Sequence, residues 1–187
     1  MASTTLFLGS SSAAKSQAKA LAAALTTEHV EFLPWWDAFT PGRTLLEELD
    51  AIRTRVHGAV LLFSPEAEST VRGNVVHTPN LNVLFEFGYF YGHFSKEKVA
   101  LVRYGEFYLP SDYGGYIHVA GSKFFKRGAV VKVGQRTVSE FQRWVSSAGF
   151  PQPAPPGPTP EMLAGQEAAR ARDARAFRAA RGYPPRP

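Results

Sequence analysis

Six consecutive apolar residues, Gly58-Ala59-Val60-Leu61-Leu62-Phe63, constrain the fold of this chain most. The run is short for a helix and has no polar face. It reads as a strand covered on both sides, the central position of a parallel sheet. The segments around it repeat one order of strand, loop and helix. Thr5–Leu8 is an apolar strand followed at once by Gly9-Ser10-Ser11-Ser12, and a helix follows from about Ala13 to Thr26 with Ala18, Leu21, Ala22 and Leu25 on one face. His29–Leu33 is a second strand ended by Pro34, Trp35–Gly42 is a loop, and a helix from about Thr44 carries Leu45, Leu46, Leu49 and Ile52. Beyond the central strand come a long loop, Ser64–Leu81, and a helix capped by Asn80 or Asn82 that runs to about Phe94. A fourth strand spans Lys98–Val102, and a weaker fifth lies near Tyr116–Val119. The last helix, about Val138 to Ser147, turns Phe141, Trp144 and Val145 inward. Such alternation predicts an α/β fold: an open parallel sheet with helices on both faces. Ligands of such sheets bind outside the carboxyl ends of the strands.

Glu86 is the residue that stands out chemically. It sits in Asn82-Val83-Leu84-Phe85-Glu86-Phe87-Gly88-Tyr89-Phe90, amid apolar and aromatic neighbours. Val83, Phe87, Phe90, Tyr91 and Phe94 fall at helical spacing as a buried face, with Glu86 beside it. Two readings stand. A Glu near a helix start complements the helix dipole and needs no further role. Alternatively the carboxylate opens onto the crevice at the sheet edge. An ionised carboxylate buried without a partner costs several kcal/mol, which a domain does not spend without return.

The loops at the same edge carry the other candidates. Gly9–Ser12 is either a tight turn with a Ser cap or a cradle for a phosphate or ribose at a helix N-terminus. It is not the G-x-G-x-x-G fingerprint of redox dinucleotide binding. The Trp35–Gly42 loop packs Trp35, Trp36 and Phe39 closely. They belong to a hydrophobic satellite, or Trp36 or Phe39 stacks on a flat ring while Asp37 accepts from a ligand hydroxyl or holds the loop. An exposed aromatic loop also suits self-association. Asp112, after Pro110-Ser111, reads as a turn residue.

Four of these motifs, in order, carry a resemblance. Phe7-Leu8-Gly9-Ser10-Ser11-Ser12, then Trp36-Asp37-Ala38-Phe39 with Pro41-Gly42 and Thr44, then Asn82–Gly88, then Leu109-Pro110-Ser111-Asp112 resemble the bacterial TIR-like domains. Those domains are effectors of anti-phage systems signalled by cyclic nucleotides. The resemblance covers about residues 4 to 135. It implies a flavodoxin-like sheet and hydrolysis of NAD at the nicotinamide–ribose bond. Glu86 matches the catalytic Glu, and Gly9, Ser10, Ser11, Trp36, Asp37, Phe39 and Asn82 become the expected substrate-binding set. It further implies assembly into an oligomer or filament and a cyclic-nucleotide sensor, as a joined domain or separate protein. One departure is visible: the Arg and Asp usual before the Asn-Val pair are replaced here by Pro79, Asn80 and Leu81.

The chemistry is consistent with that implication. Nicotinamide in NAD is a cationic pyridinium and a good leaving group. Its loss needs an anion near the ribose, where oxocarbenium character develops, rather than a strong acid. The chain has no Cys, and its five His residues, His29, His57, His77, His93 and His118, lack metal-ligand spacing. No cofactor is expected beyond NAD as substrate, and no G-x-S-x-G elbow is present. Two rival readings remain: a nucleoside deoxyribosyltransferase-like enzyme, which also uses a Glu at a sugar carbon, and a non-enzymatic TIR scaffold working by self-association.

The expected organisation is a folded domain over 1–148, a Pro-rich linker over 149–160 and an Ala/Arg-rich tail over 161–187. Pro151–Pro160 has six prolines in ten residues, an extended spacer. The tail sets six Arg against three acids, +3 of the chain's formal +5. It reads as disordered or a marginal helix. It has no aromatic platform, which argues against nucleic acid as a partner. No run reaches the ~20 apolar residues of a membrane span and no signal-like start is present. A cytoplasmic protein is the default expectation.

Overall fold

A computed structural model describes residues 3–109, 111, 113, 117–129, 132–151, 164, 165, 168, 169 and 172. The strands are β1 (Thr4–Ser10), β2 (Val30–Pro34), β3 (Gly58–Phe63), β4 (Ala67–Val71), β5 (Asn74–Thr78), β6 (Val99–Arg103) and β7 (Ile117–Ala120). The helices are α1 (Lys15–Leu25), α2 (Trp35–Ala38), α3 (Leu45–Arg53), α4 (Leu81–His93) and α5 (Gln135–Ser147). Five strands form one parallel sheet in the order β2-β1-β3-β6-β7. This is the expected doubly covered α/β architecture.

Alternation along the strands divides the core. Leu6, Leu8, Val60, Leu62, Ala100 and Val102 point to one face and pack on Ala18 and Leu21 of α1 and on Phe141 and Trp144 of α5. Phe7, Ala59, Leu61, Phe63 and Leu101 point to the other, against Leu49 and Ile52 of α3 and Val83, Phe87 and Phe90 of α4. Every residue of β3 is buried, as a central strand between two helical layers requires.

The structure differs from the sequence reading at several places. The expected loop Ser64–Leu81 contains an antiparallel hairpin, β4 with β5. Its two-residue turn, Arg72-Gly73, has φ of 51° and 82°, the left-handed pair that matches strand twist. Its strands are largely exposed and polar, so no apolar alternation marked them. Trp35–Ala38 is one helical turn rather than loop. Gly9 and Ser10 finish β1 rather than opening the loop. α5 begins at Gln135, ahead of Val138, and α1 begins at Lys15. Tyr91 and Phe94 are only half-buried.

The chain divides into two compact units, Met1–Pro153 and Ala154–Pro187. Asp112, the linker from residue 152 and most of the 161–187 tail lie outside the described residues. Among the described residues, no helix is long and apolar enough to cross a membrane. No cluster of three or more His, Cys, Asp or Glu that could hold a metal occurs among them either.

Candidate active site

The carboxyl ends of β1 and β2 and the start of α4 enclose a crevice of about 240 Å³. Ser10, Ser11 and Ser12 form one wall, and Trp35, Phe39 and Leu45 another. Asn80, Asn82, Val83 and Glu86 of the α4 end complete it. Asn80 is the cap of α4: its Oδ1 accepts from the Asn82 and Val83 amides at 3.0 and 3.4 Å. That cap fixes where the helix starts, and so fixes Asn82, Val83 and Glu86 as the residues that face the crevice.

Glu86 is 5 % exposed and its Oε2 has no hydrogen-bond partner. It lies in the second turn of α4, and the first turn holds no acidic residue. The dipole-complement reading of Glu86 is therefore corrected: the dipole acts within the first turn, and here burial dominates. Desolvation pushes its pKa up to about 8. Gly9 makes room for this carboxylate. A Cβ on Gly9 would stand 2.8 Å from Glu86 Oε2 and 2.2 Å from Leu61 Cδ1.

The serines are held by their own bonds. Ser10 Oγ accepts from Trp35 Nε1 at 3.0 Å and donates to the Ser11 carbonyl at 3.2 Å. Ser11 Oγ accepts from the Ala14 amide at 3.2 Å and donates to Glu66 in a short hydrogen bond. The phosphate-or-ribose alternatives for this loop thereby narrow at the side chains. Both hydroxyl hydrogens are committed inward, so the Oγ atoms offer lone pairs to a ligand, which suits donors such as sugar hydroxyls.

Of the expected site residues, the fold brings together Ser10, Ser11, Phe39, Asn82 and Glu86, with Gly9 beneath the carboxylate. Trp36 and Asp37 are not among the lining residues. Trp36 packs toward the α1–α5 face, with Lys15 Nζ 5.2 Å and Lys19 Nζ 5.9 Å from its ring, and Asp37 is exposed. The crevice takes Trp35 instead. Sequence reasoning missed Trp35, Ser12, Leu45, Val83 and Asn80 as lining residues, and the supporting Glu66. Strand alternation does not mark Trp35, because β2 ends at Pro34 and Trp35 opens the one-turn helix α2. Phe32 and Trp36 share the α1–α5 face, whereas Leu33 and Trp35 share the face of α4, where Glu86 lies.

A second cavity, about 210 Å³, opens at the amino edge of the sheet between α1 and α5, lined by residues such as Thr4, His29, Val30 and Val145. It has no carboxylate, and it lies at the wrong end of the strands for an α/β ligand site.

Known proteins match the same part of the chain. The family model described as CAP12/Pycsar effector protein, TIR domain, matches residues 5–123, more than half of the sequence. The CD-NTase-associated protein 12 of Sphingobacterium faecium is 32% identical over 91 residues, 49% of this chain and 28% of that protein. Its counterpart from a Lachnospiraceae bacterium is 29% identical over 109 residues, 58% of this chain and 34% of that protein. The uncharacterized protein YuaY of Escherichia coli K12 is 31% identical over 78 residues, 41% of this chain and 26% of that protein. The matched segment thus spans about a third or less of these curated relatives. With a parallel sheet, a carboxyl-edge crevice and a family match across both, the chain belongs to the CAP12/Pycsar effector TIR-domain family.

Proposed function

We propose that this domain is an NAD glycohydrolase and that Glu86 is its catalytic residue. The observation that carries the reading is one carboxylate, buried and without a hydrogen-bond partner at Oε2, in a carboxyl-edge crevice of an effector TIR domain. A buried acceptor left unpaired in the free protein is costly. A substrate that brings a cation and hydroxyl donors to it recovers that cost during binding and reaction.

Phe39 and Trp35 offer faces for the nicotinamide ring, and the Ser10 and Ser11 oxygens and Asn82 hold the ribose. The C1′–N bond breaks and nicotinamide leaves with the bonding electron pair. Positive charge grows on the ribose, and the ionised Glu86 stabilises it. Water adds at C1′ and a proton is released, giving nicotinamide and ADP-ribose. The test is chromatographic: NAD offered with and without a free acceptor base yields nicotinamide and ADP-ribose in either case. Dependence on the acceptor base, or processing of free nucleosides in place of NAD, contradicts hydrolysis and indicates a transferase.

The reaction needs Glu86 ionised, whereas burial holds it protonated up to about pH 8. The kcat/KM for NAD is therefore expected to rise about tenfold per pH unit below that value and then level off. Bound pyridinium favours the anion, so the midpoint for kcat should lie at lower pH than that for kcat/KM. A pH–rate series from 5.5 to 9.5 reads both. A flat profile through that range contradicts an acid group of this kind.

We further propose that activity follows assembly. Leu81 and Phe85 of α4 are 72% and 47% exposed, next in sequence to the crevice residues Asn82 and Glu86. A neighbouring copy packed there would narrow the crevice and orient the ribose, which is worth several kcal/mol of barrier. Specific activity per molecule is expected to rise steeply with protein concentration, followed by nicotinamide release alongside light scattering. Equal activity per molecule in dilute and concentrated samples rules assembly out as the switch.

A further inference from the structure

Glu66 is not among the residues that line the crevice, yet three segments of the crevice meet on it. Its Oε1 accepts from Ser11 Oγ in a short hydrogen bond and from Ser64 Oγ at 2.7 Å. Its Oε2 accepts from Asn80 Nδ2 at 3.3 Å. These donors come from the turn after β1, the end of β3 and the cap of α4. Asn80 has one orientation available, because its Oδ1 is taken by the Asn82 and Val83 amides. Its Nδ2 therefore donates, and Glu66 Oε2 is the acceptor it meets. Ser11 is similarly constrained. Its oxygen accepts from the Ala14 amide and its hydrogen goes to Glu66, which leaves a single lone pair for a ligand.

We propose that Glu66 is a positioning residue of the crevice: one carboxylate gathers Ser11, Ser64 and Asn80, and thereby fixes the Ser11 oxygen as a hydrogen-bond acceptor for a sugar hydroxyl of the substrate. Without that anchor the Ser11 hydroxyl rotates freely and presents its hydrogen to the ligand as often as its lone pair. The Asn80 spoke keeps the opposite wall at a set distance. This role rests on the reading of the crevice as an NAD site, and it adds that Glu66 acts on binding rather than on bond cleavage.

The test is a cycle of Glu66→Gln and Ser11→Ala in the full chain, read as KM and kcat for NAD. Gln keeps the size but loses one spoke in either amide orientation: its NH₂ meets the Asn80 NH₂, or it donates to Ser11 Oγ and turns that hydroxyl hydrogen outward. Glu66→Gln is expected to raise KM on the order of tenfold and change kcat far less, and the double variant is expected to be little worse than Ser11→Ala alone. Independent, multiplying effects on KM, or a loss confined to kcat, overturn the proposal. A second readout needs no catalysis. Amide hydrogen exchange across Ser10–Lys15 and Asn80–Val83 is expected to quicken in Glu66→Gln while the β3 and β6 amides stay protected. If the wild-type protein releases no nicotinamide, the NAD reading has failed, and exchange alone decides: unchanged rates in both segments overturn the positioning role. Should Glu66→Gln fold poorly, Asn80→Ser retains a cap acceptor and removes only one spoke. It is expected to act in the same direction with a smaller shift, and exchange identical to wild type in Asn80–Val83 overturns the role.

Discussion

Glu86→Gln is expected to cut nicotinamide release from NAD by about 10²-fold or more, since one preorganised electrostatic group at developing charge is typically worth that much. The variant keeps the volume of the side chain, so the crevice and the packing of Phe87 and Phe90 around it stay intact. Stability makes a second, independent check. Glu86 binds its proton up to about pH 8 in the folded state, well above the ordinary carboxylate range that applies when unfolded. The folded state thus holds more protons across that window. Its stability is full below the unfolded value and is lost progressively as pH rises through the folded one. Glu86→Gln removes that loss, so at pH 9 the variant should melt at a higher temperature than wild type while being inactive. A variant that is folded and turns over NAD at the wild-type rate contradicts the role given to Glu86. A variant less stable than wild type at pH 9 contradicts the environment given to it.

Gly9→Ala is expected to damage fold and activity together. The added Cβ meets Leu61 Cδ1 at 2.2 Å, Glu86 Oε2 at 2.8 Å and Phe7 Cε1 at 3.0 Å. Leu61 and Phe7 are both 0% exposed, so neither has free space to yield into. Overpacking of this kind costs about 1–3 kcal/mol, a drop in Tm of several degrees for a domain of this size. The carboxylate is the least confined of the three neighbours and moves first, so NAD cleavage should fall on the order of 10²-fold, in line with the sensitivity of reacting groups to ångström displacements. Gly88→Ala is the control. Its Cβ meets nothing within 4 Å, and Ala in a helix interior is favoured over Gly by about 1 kcal/mol. Thermal melts should therefore move in opposite directions for the two substitutions. Equal Tm values for Gly9→Ala and wild type contradict the close approach of Glu86 to β1.

The sheet was legible because each apolar run is short and bounded by a turn former, and because β3 is apolar throughout. Its wholly buried pattern is the one a central parallel strand must have. The hairpin Ala67–Val71 with Asn74–Thr78 was not legible. Both strands are mostly exposed, so hydrophobic pattern carried nothing, and only Arg72-Gly73 marked the turn. Glu86 could be picked out because a carboxylate within an apolar helix face has few inexpensive explanations. Its sign of perturbation was not, since desolvation depends on tertiary packing that sequence spacing does not give. Trp35 is not legible as a crevice residue because no sequence signal marks Trp35–Ala38 as the one-turn helix it forms. Glu66 was invisible for another reason. Its partners lie up to 55 positions away in sequence, and nothing local distinguishes it from a surface acid.

The most direct measurement is to incubate the purified chain, concentrated, with NAD at pH 8 and to quantify free nicotinamide and ADP-ribose against Glu86→Gln. Glu86-dependent hydrolysis requires equimolar nicotinamide and ADP-ribose from wild type, at a rate per molecule that climbs with concentration, and NAD left intact by the variant. NAD left intact by concentrated, folded wild-type protein, or nicotinamide released equally by both proteins, would contradict it.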